Sequence, residues 1–225
     1  MGEVLSDLLP FALTIAISPV PIIAVILMLL APKAGGAGTG FLVGWVAGIV
    51  VATGVLIVLA NAIGLASARG QPSAGASWIK LLLGLVLLAM ALKQWKSRPK
   101  PGQSAELPGW MRAVDKVTPA KAATLGLLLS AVNPKNLMMC VAAGVAIAAG
   151  DLSGAQETVL LVLFTVLAAC SVAVPVIVYA TNATRVRAPL DRLKGWLQQN
   201  NATVMFVLLL VMGVVLAGKG VGGLM

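Results

Sequence analysis

The chain has 225 residues, of which 60% are AVILMFWYC and only 10% are charged, and its mean hydropathy is +1.01. This lies far outside the usage of soluble globular proteins and places the chain among polytopic membrane proteins. The net charge of +9 does not point to nucleic acid, because the basic residues cluster in short segments between apolar runs, where they report topology.

The first apolar run, Leu8 to Leu30, is too long for the core of a signal peptide. Glu3 and Asp7 stand where a basic leader would be expected, and no small-x-small cleavage site follows. It reads as a retained first span. Within it lies Ser18-Pro19-Val20-Pro21. Each proline removes a backbone donor and clashes with the carbonyl four residues earlier, so Pro19 and Pro21 together unwind or sharply kink the helix. Thr14 and Ser18 supply hydroxyls beside the break, and the half-helix after Pro21 points its positive end inward. A packing kink is the plain alternative.

The second run, 39–65, carries Gly40, Gly44 and Gly48 at four-residue spacing, a smooth face on which another helix can approach closely, within the chain or in a dimer. The third, 77–92, is short and is completed by Trp78 and by Lys93 to Trp95 as interfacial ends. A Pro-, Gly- and Lys-rich segment over 93–121 follows and reads as a basic cytoplasmic linker. Its charge suits anionic lipid headgroups.

The fourth run, 122–149, holds the most expensive group in the chain. Lys135 sits in Ser130-Ala131-Val132-Asn133-Pro134-Lys135-Asn136, inside a stretch apolar enough to span a bilayer. An ionisable group there costs roughly 2.5 to 3.5 kcal/mol on insertion scales and is usually kept for a substrate or ion pathway. Pro134 opens the backbone, Asn133 can cap the half-helix that follows, and Ser130 and Asn136 add polar groups. No carboxylate falls within the spans, since Glu3, Asp7, Glu106, Asp115, Asp151, Glu157 and Asp191 all lie in loops or at helix ends. An ammonium beside helix N-termini without a carboxylate favours an anionic ligand such as phosphate, sulfate or carboxylate. A snorkelling or charge-neutral lysine is the competing reading.

The fifth run, 156–181, contains Pro175 with Ser171 one turn earlier and is expected to bend as a hinge. The sixth is 201–219. Counted by alternate loops, Lys33; Lys93, Lys96, Arg98, Lys100, Arg112, Lys116 and Lys121; and Arg185, Arg187, Arg192 and Lys194 fall on one side. Arg69, Lys80 and Lys219 fall on the other. This asymmetry puts both termini outside.

Six spans with an odd number on each side of the linker imply an all-α fold of two oppositely inserted halves, 1–92 and 122–225, if the halves are related. Pro19 and Pro134 are 115 residues apart, and about the same offset carries the start of helix two onto that of helix five. Paired breaks in helices one and four of an inverted repeat mark a midplane binding site. Histidine is absent, the single cysteines Cys140 and Cys170 form no CxxC, and no Walker loop, nucleophile elbow, metal cluster or paired carboxylate occurs. Neither an enzyme nor a cofactor or metal site is expected.

On Ser18-Pro19-Val20-Pro21, Asn133-Pro134-Lys135, the Gly40 to Gly48 helix, six spans and a basic linker, the chain resembles the GAP or sulfolipid-1-addressing protein family, placed within the LysE transporter superfamily. The resemblance implies export of an envelope glycolipid across the bacterial cytoplasmic membrane. It also implies an inverted three-plus-three repeat, often a homodimer, working beside a larger lipid-export transporter. The functional positions it carries over are Pro19, Pro21, Asn133, Pro134 and Lys135. The disulfide-relay branch of that superfamily needs paired membrane cysteines, which Cys140 and Cys170 do not match. The expectation is therefore a transporter or flippase for an anionic amphipathic lipid or glycolipid. The alternatives are a LysE-type exporter of a small metabolite such as an amino acid, and a non-transporting accessory subunit of a lipid-export complex.

Overall fold

Helices form wherever the apolar runs allow, and local chemistry decides where they stop. In the computed structural model, which describes residues 1–31, 36–63, 74–96 and 117–225, seven helices and no strands occur among the described residues. They are α1 (Gly2–Ala16), α2 (Pro19–Leu30), α3 (Ala37–Ala62), α4 (Ala74–Lys96), α5 (Pro119–Ala131), α6 (Pro134–Ala148) and α7 (Gly154–Gly222). Proline stands at the first position of α2, α5 and α6, where its missing N–H costs no hydrogen bond. Thr118 accepts from Lys121 N–H at 3.4 Å, and Ser153 with Gln156 forms a reciprocal capping box at the start of α7.

Among the described residues three helices, α3, α4 and α7, are long and apolar enough to cross a membrane, and the count rises to five if the bent pairs α1–α2 and α5–α6 are each one span. The expected spans 8–30 and 122–149 thus each appear as two helices, bent by 50° and 62°. The expected spans 156–181 and 201–219 both fall inside α7, and the loop expected between them is helical. At 69 residues α7 would be roughly 100 Å long if straight, against a hydrocarbon core of roughly 30 Å. It is not straight: Asn182 (φ −155°, ψ 69°) interrupts it, and the Asn182 side-chain oxygen accepts from Arg185 N–H at 3.4 Å, capping a second limb. Of the expected basic linker 93–121, residues 97–116 lie outside the described residues, as do Lys33 and Arg69.

Contacts collect the helix ends into two groups. At one end Asp7 of α1 pairs with Lys219 of α7, Ser77 Oγ donates to Gly223 O at 3.1 Å, and Asn61 Nδ2 donates to Glu157 Oε1 at 3.1 Å. At the other, Gly40 packs on Pro119, Gly38 on Leu29 and Val176, and Trp95 on Phe206 with ring centroids 4.7 Å apart. Glu157 and Lys219 therefore lie at one end of the bundle and Val176 and Phe206 at the other, so α7 reverses direction between its limbs. Loss of the Asn182 cap should cost ~1 kcal/mol. We expect Asn182→Ala to lower the detergent melting temperature measurably, with Asn182→Ser close to the parent.

Many large apolar side chains face outward. Val51, Val55 and Val58 on α3, Leu82 and Val86 on α4, and Val162, Val166, Val211 and Val214 on α7 are exposed. An apolar girdle of this extent suits lipid, not water. Trp78 and Trp95, both partly exposed, bracket α4 at a separation of roughly 26 Å at the ordinary helical rise, a spacing suited to two interfacial aromatic belts.

Candidate functional site

The two helix breaks meet. α1 ends in a tightened turn in which Ile17 N–H donates to Leu13 O at 2.8 Å and Ser18 N–H turns to Ile15 O at 3.1 Å. In a continuous helix Ser18 N–H would serve the Thr14 carbonyl, so that carbonyl is left for another donor. Lys135 Nζ supplies it at 2.5 Å. Lys135 is 1% exposed, one of the largest fully buried side chains in the chain. Among the described residues no carboxylate lies within ion-pair distance of it.

The second break is built the same way. Asn133 is the N-cap of α6, its Oδ1 accepting from Lys135 N–H at 3.1 Å, and Pro134 takes the first helical position. α5 stops at Ala131, which leaves the Leu129 carbonyl without its helical donor. Asn136 Nδ2 donates to it at 2.9 Å. Lys135 and Asn136 thus each cap a carbonyl freed by a proline break, one in the opposite half of the chain and one in their own. Asn136 is wholly buried and its Oδ1 has no partner among the described residues, an acceptor left open on the turn that carries Lys135.

Electrostatics follow from this placement. The Lys135 amine sits at the carbonyl end of α1, where a helix carries partial negative charge, while its own backbone belongs to the positive end of α6. Its partner there is neutral, so a strong anion could replace the Thr14 carbonyl and bring more attraction than it displaces. α2 contributes less than its position suggests, because prolines at its first and third residues leave only Val20 N–H among the first three.

The remaining expected residues fall into place around these two. Thr14 reaches the site through its backbone, since its hydroxyl donates to Pro10 O at 2.8 Å. Ser18 is buried at the N-cap of α2 and makes no capping hydrogen bond. Ser130 Oγ donates to Leu127 O at 3.1 Å and packs against Gly48, where an added Cβ would come within 1.9 Å of it. Gly40 and Gly44 meet the backbone of Pro119 and Ala123, so the smooth face of α3 is filled by α5 of the same chain. Pro175 lies inside the first limb of α7, which continues helically through it, and the interruption comes seven residues later at Asn182. Cys140 is buried on α6 and Cys170 exposed on α7, both as free thiols.

Sequence reasoning missed three features. It considered the Thr14 hydroxyl and not its carbonyl, although a carbonyl four residues before a break is a predictable orphan. It overlooked Asn182, although asparagine before Ala183-Thr184-Arg185 is an ordinary helix-start signal. It also left Asp7 and Lys219 apart, although six spans would bring both ends of the chain to one side.

The family model described as Sap, sulfolipid-1-addressing protein, matches residues 8–222 of the chain. No curated protein and no solved structure matches it.

Proposed function

We propose that this chain, which belongs to the Sap, sulfolipid-1-addressing protein family, is a membrane transporter or flippase that moves an anionic amphipathic lipid toward the cell envelope. A sulfated glycolipid headgroup is the anion that the family description suggests. The observation that carries the reading is the Lys135 to Thr14 contact, which joins the two broken helices through a buried lysine amine with a neutral partner. An anionic headgroup entering there takes over the ammonium, frees the Thr14 carbonyl and unties α1 from α6. Binding and relative movement of the halves are then one event, as alternating access requires.

In this reading the bent pairs are single spans and the two limbs of α7 are two more, giving six crossings in two inverted halves of the LysE type. The basic side, with the linker around residue 105, faces the cytoplasm and both termini face outward. Single cysteines introduced at Ala105 and Gly222 in a background lacking Cys140 and Cys170 test the orientation. The external cysteine at position 222 should react with an impermeant maleimide in whole cells and that at position 105 only after lysis. Labelling of position 105 in intact cells would reverse the topology.

Transport itself is tested with purified protein in proteoliposomes carrying tail-labelled lipids of sulfated or zwitterionic headgroup. The protein should accelerate loss of inner-leaflet fluorescence to an external reductant for the sulfated probe well beyond the zwitterionic one. Equal rates with and without folded protein would leave the chain a scaffold of an export complex.

A further inference from the structure

The second limb of α7 carries a surface that the transport reading does not use. Between Asn182 and Asn201 the sequence is polar and basic, and its residues sort by face. Leu190 and Leu197, seven residues apart, are buried against the core with Val186 packed beside them. Arg185, Arg192 and Trp196 stand at i, i+7 and i+11, which places them together on one face, about a third of a turn around the helix from the buried leucines. All three are exposed, Trp196 by 54%, and Leu193 beside them by 41%. The segment's single carboxylate, Asp191, is neutralised by Lys194 at 2.5 Å, and Arg187 is turned toward Tyr179, whose hydroxyl accepts from it at 3.3 Å. What remains outward is the guanidiniums of Arg185 and Arg192, the latter donating from Nε to Ala188 O of its own helix at 3.4 Å, with an indole and a leucine between apolar stretches of the chain.

We propose that this face, Arg185, Arg192 and Trp196, docks on the anionic phospholipid headgroups of the leaflet at its end of the bundle. The chemistry of each residue argues for that occupant. An indole is most stable at headgroup depth, with its ring toward the chains and its N–H toward water. Arginine lays its stem along apolar surface while its fork meets phosphate in bidentate fashion. The face lies toward the same end of the bundle as Trp95 and Phe206, with Trp196 ten residues, roughly 15 Å of helical rise, further along the limb from Phe206. On the orientation that the loop charges require, this is the cytoplasmic leaflet, whose negative surface potential favours basic segments. Held there, the limb fixes the angle at which α7 re-enters the bilayer after Asn182.

The test uses the full chain in nanodiscs of phosphatidylcholine and phosphatidylglycerol, with one or the other lipid brominated in its acyl chains to quench nearby tryptophan. The Trp196 signal is the difference between the parent and Trp196→Phe. We expect brominated phosphatidylglycerol to quench Trp196 more than brominated phosphatidylcholine at equal mole fraction. The preference should fall roughly fivefold for each guanidinium removed, and so be nearly lost in Arg185→Gln/Arg192→Gln. Arg185→Lys/Arg192→Lys, which keeps the charge, should retain most of it, and raised salt should weaken it in the parent. Equal quenching of Trp196 by the two lipids in the parent overturns the proposal and leaves the face to an acidic protein partner. So does a preference that survives the double glutamine variant. Because no flux is measured, the outcome is independent of whether the chain transports.

Discussion

Replacing Lys135 by methionine should reduce lipid flux in proteoliposomes by at least tenfold while changing the melting temperature by no more than a few degrees. The two effects have different origins. Methionine fills most of the buried volume of lysine and removes a charge whose insertion costs roughly 2.5 to 3.5 kcal/mol. It also leaves the Thr14 carbonyl buried without a donor, which costs roughly 1 to 3 kcal/mol. These terms oppose each other and are of similar size, so stability should barely move. Function has no such compensation if the ammonium is what an anionic headgroup binds. Lys135→Arg should keep partial flux, since the guanidinium holds its charge but must fit a longer, planar fork where a compact ammonium packed. Stabilisation of the purified protein by added anionic lipid gives a second readout, expected in the parent and absent in the methionine variant. Full flux with undiminished lipid stabilisation in Lys135→Met would reduce Lys135 to a cap on the α1 carbonyl.

Gly44→Ala should be among the most disruptive single-methyl additions in the protein. A Cβ at Gly44 would lie 1.8 Å from the Ala123 carbonyl oxygen and 2.6 Å from its carbon, which are backbone atoms of α5 that no rotamer change can move. Relief requires α3 and α5 to separate along their contact. Overpacking of this kind costs roughly 1 to 3 kcal/mol and more when backbone must shift, and close approach of small residues is the main attraction between helices in lipid. A melting temperature at least 10 °C below the parent in detergent, with reduced yield, is the expected result. Gly54→Ala on the same helix is the control. Its new methyl would find only Leu161 Cδ2, at 3.9 Å, and should be neutral or stabilising by roughly 0.5 to 1 kcal/mol through helix propensity. Equal melting of the two variants would show that the α3 and α5 backbones are not in close contact at Gly44.

Membrane class and the positions of the helix breaks are properties of the sequence by itself. Mean hydropathy needs no fold to be read, and proline acts on the carbonyl four residues before it and on its own missing donor. The breaks before Pro19 and Pro134, and the Asn133 cap, are therefore decided within a turn of helix. Tertiary structure alone decided what those breaks are used for. Lys135 finds its acceptor 121 residues away and Asp7 its cation 212 residues away, and neither pairing has a local signal. A glycine stripe announces a close approach but not the partner, and only packing assigned α5 to it. The expected loop between the last two apolar runs became helix because the polar stretch after Asn182 still buries Leu190 and Leu197 at helical spacing. That gain comes from contact with the rest of the bundle and is invisible to a count of polar residues.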